Sequence, residues 1–164
     1  MQLTNIPSKV TKASYFAELW ECPLTGEKSL HASVTLMPGE IVSAFRIQEI
    51  LSKPNYLTVQ LNEQEHMTLE PEFLQYINHS CDPNVFFDTT TMVVICLKKI
   101  ELSEQMTFFY PSTEWSMDRG FDCLCGTEEC LGYIQGAAHL QTNILKQYKL
   151  SDYIQQKLKI IKDD

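Results

Sequence analysis

The chain has 164 residues, 44% of them hydrophobic, with 13 Lys and Arg against 21 Asp and Glu and a formal net charge of −8. This is enough to bury one core and short for two, so a single domain with a C-terminal extension is expected. No basic stretch concentrates the cations, which argues against direct binding of nucleic acid; an acidic surface suits Lys-rich and Arg-rich partners, or serves solubility alone.

Met1 to Pro7 shows no basic region followed by an apolar stretch and a small-residue cleavage site. An intracellular, reducing setting in cytoplasm or nucleus is therefore expected, where clustered cysteines bind metal more often than they form disulfides. The longest strongly apolar run, Met92 to Leu97, falls far short of the ~20 residues that span a bilayer, so no membrane partner is expected.

Along the first two thirds, short strands alternate with turn chemistry. Ser29 to Leu36 and Ile41 to Phe45 flank Met37-Pro38-Gly39-Glu40 and read as a strand pair closed by that turn. Tyr56 to Leu61 alternates, Met92 to Leu97 reads as a strand buried on both faces, and Thr107 to Tyr110 is a further short strand. Helix is predicted only near the end. Leu140, Ile144, Leu145 and Tyr148 recur on one helical face, and a second helix follows Ser151 as N-cap with Ile154, Leu158 and Ile161 apolar. These stripes are expected to pack on the domain, with a partner helix as the other use. The pattern is mainly β within an α+β class.

Asn78-His79-Ser80-Cys81-Asp82-Pro83-Asn84 is dense in hydrogen-bonding side chains around a turn-forming Asp-Pro, and reads either as a ligand-binding loop or as a self-capped turn. Cys123-x-Cys125-x-x-x-x-Cys130 supplies three soft ligands, and Cys81 is the best-placed fourth for one tetrahedral Zn²⁺. Cys22 and Cys96 are expected to be unliganded thiols, the second buried, and His31 and His66 solvated or core histidines.

Taken together these segments resemble the SET-domain protein lysine methyltransferases. The Asn78–Asn84 stretch is similar to that family's central signature. Glu101-Leu102-Ser103-Glu104-Gln105-Met106-Thr107-Phe108-Phe109-Tyr110 resembles the second, which ends in the catalytic tyrosine. Cys123 to Gly132 resembles the post-SET zinc segment. The resemblance spans roughly residues 29–134 and divides the chain into a SET domain (1–120), a post-SET zinc segment (121–136) and a C-terminal helical extension (137–164) packed on the same domain.

The resemblance implies small β-sheets with a knot-like core, S-adenosylmethionine on one face and a target lysine entering through a narrow channel from the other. It implies that Asn78, His79, Tyr110, Lys28, Leu30 and Tyr133 bind the cofactor, that Tyr110 is catalytic and that Phe108, Phe109 and Phe121 line the channel. It further implies that Cys81, Cys123, Cys125 and Cys130 hold zinc. In the family the position two before the catalytic tyrosine tunes how many methyl groups are added; Phe108 there suggests di- or trimethylation.

The chemistry stands on its own physics. Methyl transfer from a sulfonium to an amine is a direct displacement, accelerated by positioning and exclusion of water. The amine must arrive neutral, and a dry aromatic channel beside a positive sulfonium lowers its pKa. Each aromatic has a plainer reading as core filler. The chain departs from the family at Gly26-Glu27-Lys28-Ser29, where a Gly-x-Gly is usual, at Gln75 where an arginine is common, and at Phe109, which replaces an acidic residue. The glycine stretch and Gln75 favour the alternative of a non-enzymatic, zinc-holding SET fold that binds a peptide. A redox protein using its cysteines is the third reading.

Overall fold

The computed structural model describes residues 9–163. In chain order the strands are β1 (Lys9–Lys12), β2 (Ala17–Glu21), β3 (Lys28–Ala32), β4 (Ile41–Ala44), β5 (Arg46–Leu51), β6 (Val59–Gln60), β7 (His66–Glu70), β8 (Asn78–His79), β9 (Val85–Asp88), β10 (Val93–Cys96), β11 (Thr107–Phe108), β12 (Phe121–Asp122) and β13 (Tyr133–Ile134). They form separate small sheets ordered β1-β2-β3, β4-β10-β9, β5-β7-β6, β11-β8 and β12-β13. Among the described residues only β11 and β8 pair in parallel. The mainly β reading with late helices holds, and the strands that sequence reasoning passed over are β1, β2, β5, β7, β8, β9, β12 and β13.

The strand pair expected around Met37-Pro38-Gly39-Glu40 does not form. β3 pairs with β2 and β4 pairs with β10, so the turn carries the chain from one sheet to another. Long-range partners take its backbone groups: Leu36 and Ile100 exchange hydrogen bonds at 3.0 Å, and the Gly39 N–H donates to the Cys96 carbonyl at 2.8 Å with φ +88°. Glycine suits the position through that positive φ, since a Cβ there would meet nothing within 4 Å. β10 is the middle strand of its sheet, yet its faces are unequal. Val94 and Cys96 are buried while Val93 and Ile95 are half-buried, so the two-sided burial read from the apolar run is corrected to one covered face.

The largest apolar cluster includes Leu30, Val42, Phe45, Met67, Leu69, Phe87, Val94, Ile100 and Phe108. A second contains Phe109, Ala137, Leu145 and Ile154, with Trp115, Leu140, Tyr148 and Leu158 packed against it. A third gathers Cys81, Cys123 and Ile134 with Tyr110 and Phe121 alongside. Three consecutive residues thus seat in different places: Phe108 in the first cluster, Phe109 in the second, and Tyr110 between the first and the third. Extended backbone alternates side chains across a strand, which separates 108 from 109. A 3₁₀ turn at Tyr110–Ser112 then swings the tyrosine out of that alternation.

The expected helix from Leu140 to Tyr148 shrinks to α1 (Thr142–Leu145), a single turn following a 3₁₀ turn at Ala137–His139. Leu140, Leu145 and Tyr148 still face the second cluster, because burial decides here and helical hydrogen bonding does not. α2 (Asp152–Asp163) starts as predicted, with the Ile154 N–H donating to Ser151 Oγ at 3.3 Å. Its buried stripe ends at Leu158; Ile161 is exposed, against expectation, since the helix has passed the edge of the core.

Candidate active site and thiol cluster

β8 is too short to hold itself. It is bound by its parallel partner and by the loop that follows: the Ser80 N–H donates to Phe108 O at 3.1 Å and the Asn84 N–H to Thr107 O at 3.1 Å. Asn84, only 3% exposed, closes the crossing with its side chain, donating to Gln105 O at 2.8 Å and accepting from Thr107 N at 2.8 Å. Its buried amide is fully used, which makes the two signature segments one rigid unit. Sequence reasoning gave Asn84 no role, although its place at the end of the polar motif was the available signal.

Asn78 donates from Nδ2 to the Lys28 carbonyl at 2.9 Å, setting the Gly26–Lys28 backbone beside β8. Lys28 itself is half-buried with Nζ over the Tyr76 ring. Gln75 hydrogen-bonds Glu72 at the surface.

Tyr110 lies among the rings of Phe108 (4.7 Å between centroids), His79 (5.2 Å) and Phe121 (5.9 Å). Burial, reinforced by the nearby Glu114 carboxylate, pushes its phenol well above the ordinary tyrosine range, so the hydroxyl stays protonated. Burial also depresses His79 to about 4, leaving it neutral. Its Nδ1 accepts from the Tyr110 N–H at 3.2 Å.

Three of the predicted site residues have their main contacts outside the ring group of Tyr110, Phe108 and Phe121. Leu30 is fully buried in the main cluster, and its carbonyl is taken by the Met106 N–H at 2.8 Å, so it is a core residue. Phe109 stacks flat on Tyr148, 3.6 Å between centroids and 7° between planes, as part of the C-terminal core. That contact also accounts for the missing acidic residue, since a carboxylate there would be buried against a ring face. Tyr133 opposes Asp122 across the β12-β13 pair while Phe121 opposes Ile134. Cross-strand partners share a face, so Phe121 looks toward His79 and Tyr110 while Tyr133, half-exposed, looks away and lies over Gly120.

The thiols of Cys81, Cys123, Cys125 and Cys130 all lie within 4.8 Å of one another, with Cys81 and Cys123 at 3.9 Å. Burial pushes Cys81 up to about 11 and raises Cys123 as well, a sign that water alone does not stabilise their anions. The Leu131 N–H points at Cys81 Sγ at 3.4 Å. Cys22 and Cys96 are outside the group, the latter buried and donating to Lys98 O. His31 stacks on Trp20 and bonds Ser103 O, and His66 is buried in β7.

Residues 8–111 match the SET domain family. The chain belongs to the SET family. Its relatives include Methyltransferase flvH of Aspergillus flavus, 35% identical over 132 residues, which cover 79% of this chain and 74% of that protein. An H3 lysine-4 specific histone-lysine N-methyltransferase of Emericella nidulans is 37% identical over 67 residues, covering 37% of this chain and 6% of that one. An H3 lysine-36 specific enzyme of Gibberella zeae is 25% identical over 130 residues, covering 65% and 14%. This SET-domain protein therefore shares most of its length with the first, and corresponds to a small portion of the two histone enzymes. SET methyltransferases use S-adenosylmethionine. No helix among the described residues is long and apolar enough to cross a membrane.

Glu114, like Asn84, is a side chain of the site that the sequence did not flag. It is 6% exposed, and its Oε1 accepts from the Gln60 N–H at 2.9 Å and Thr113 Oγ1 at 3.1 Å. Burial raises it to about 7. Gln60 in turn accepts from the Trp115 N–H at 2.8 Å, tying β6 to the segment after the tyrosine.

Proposed function

We propose that this SET-domain protein is an S-adenosylmethionine-dependent protein-lysine N-methyltransferase, with a histone among the candidate substrates and a nuclear or cytoplasmic setting. The observation that carries the reading is Tyr110, half-buried among the rings of Phe108, His79 and Phe121 where the two signature segments cross. The bound cofactor supplies an electrophilic methyl on a sulfonium. Asn78 and His79, consecutive on β8, and the Lys28 backbone that Asn78 hydrogen-bonds are assigned to hold it. Tyr110 keeps its proton and uses the phenol oxygen to orient the amine and the methyl. The aromatic walls exclude water, which favours a neutral lysine amine and strengthens each polar contact that remains. Phe108 brings no hydroxyl beside Tyr110, so room is left for an amine that already bears a methyl group, and di- or trimethylation is the assigned product.

The four thiols fit Zn²⁺. A tetrahedron with Zn–S near 2.3 Å has S···S edges of roughly 3.8 Å, and Cys81 and Cys123 stand at 3.9 Å. The ion would join Cys81, just past β8, to Cys123, Cys125 and Cys130 of the 121–136 segment, and so seat Phe121 against the tyrosine.

The test is incubation of the full chain with labelled S-adenosylmethionine and a panel of Lys-rich proteins that includes histones. Wild type labels a protein and Tyr110→Phe loses about 10²-fold in rate, the scale of a misplaced reacting group. Equal labelling by both removes Tyr110 from the mechanism, and absence of cofactor binding by calorimetry returns the chain to the peptide-binding reading.

A further inference from the structure

His79 touches two functional groups at once, one through each ring nitrogen. A backbone N–H can only donate, so the 3.2 Å contact from Tyr110 N makes Nδ1 an acceptor and leaves the ring proton on Nε2. Nε2 stands 3.4 Å from Cys81 Sγ. With the tautomer set, that contact is an N–H donor aimed at sulfur. The ring is held in this orientation by three aromatic neighbours, Tyr110 at 5.2 Å and Phe109 and Phe121 both at 5.7 Å.

We propose that the His79 imidazole is a positioning residue that links the metal-bearing sulfur of Cys81 to the backbone of Tyr110, so that loading of the thiol cluster and placement of the phenol are coupled. The inference rests on the zinc reading above and goes beyond it by giving this side chain a task separate from holding the cofactor. A thiolate that receives N–H donors stays ionised and well oriented, and such outer hydrogen bonds are typically worth 10–100-fold in metal affinity. Leu131 N supplies the other donor to the same sulfur, from the segment between Cys130 and β13. Cys81 Sγ thereby faces two N–H donors, and one of them belongs to the imidazole that also receives the tyrosine's N–H.

Two substitutions separate the halves of the link. Asn places its carbonyl oxygen near the position of Nδ1 and has nothing at Nε2; Gln reaches the Nε2 position with an amide donor and leaves Nδ1 unreplaced. The full zinc-loaded chain is mixed with a chromophoric chelator to time metal release, and the Tyr110 amide is followed by hydrogen exchange. His79→Asn is expected to release zinc about 10–100-fold faster while the Tyr110 amide stays protected. His79→Gln is expected to hold zinc close to wild type and to expose that amide. Cobalt substitution gives a second view, since the thiolate charge-transfer band shifts in His79→Asn and keeps its position in His79→Gln.

Release at the wild-type rate in both variants overturns the link, as does an unchanged Tyr110 amide in His79→Gln. Equal loss of zinc and of protection in both variants overturns it too, because that is what loss of mere packing gives. A wild-type chain that takes up no zinc also ends it. If the zinc and amide pattern holds and no protein is methylated, the proposed function falls and the link stands; a methylating wild type whose variants release zinc like it gives the reverse.

Discussion

Replacing Glu114 by Gln probes the most buried carboxyl beside the tyrosine without changing its shape. The Gln oxygen accepts the same bonds from Gln60 N and Thr113 Oγ1, and the charge is gone. Burial raises the native carboxyl from its ordinary 4.5 to about 7. Between those values the folded chain keeps a proton that the unfolded chain has released, so stability falls as pH rises through that window. The contribution is fully present below the ordinary value and is lost by the time pH has passed the folded one. With about 1.4 kcal/mol for each pH unit of separation, the ionised native state carries a penalty of about 3 kcal/mol at alkaline pH. Thermal unfolding of both chains, followed by circular dichroism from about pH 5 to about pH 8.5, reads this directly. Titrating thiols are common to both chains and cancel in the difference. The two melt together at the acid end, and Glu114→Gln is ahead by roughly 6–12 °C at the alkaline end, using about 2–4 °C per kcal/mol for a domain of this size. An offset that does not change with pH would refute the reasoning, because it would mean that Glu114 ionises as freely in the fold as in water.

Ile154→Ala opens a cavity in the second core, where the side chain is fully buried, and should cost about 2–5 kcal/mol in denaturant unfolding; an unchanged midpoint would show that α2 is not packed there. Freshly purified protein should contain one zinc per four-cysteine cluster by metal analysis, and stripping it with a chelator should lower the melting temperature and expose residues 121–134 to proteolysis, with an unaltered digest as the contrary result. Phe108→Tyr adds a hydroxyl next to the Tyr110 ring, 4.7 Å away, and should shift product mass spectra toward monomethyl-lysine. An unchanged product distribution would take Phe108 out of product control.

The chemistry-bearing segments were legible because they are local and dense. Asn78 to Asn84 carries its hydrogen-bonding groups within a few residues, and three cysteines fall close together with a fourth inside that motif. The aromatics were less legible. Phe108, Phe109 and Tyr110 are chemically alike and adjacent, and no local rule says which cluster each enters; Phe109 went to Tyr148, a contact across 39 positions, and so left the channel list. The sides that Leu30 and Tyr133 face were illegible for a related reason. A strand residue's side is set by the register of its partner strand, and neither the β2-β3 nor the β12-β13 pairing is visible from composition.

Glu114 shows the same limit from the other direction. An acidic residue reads as surface until Gln60, 54 positions earlier, is brought against it with a free N–H. The hairpin expected at Pro38-Gly39 failed because turn propensity is worth little beside the hydrogen bonds that Ile100 and Cys96 offer from far along the chain. Amino-acid order alone thus specified which side chains could do chemistry, since identity and close spacing are local properties. Which of them face one another was left to long-range strand pairing and to three apolar clusters that close together, where the free energy of burying distant residues outweighs any preference of a short segment.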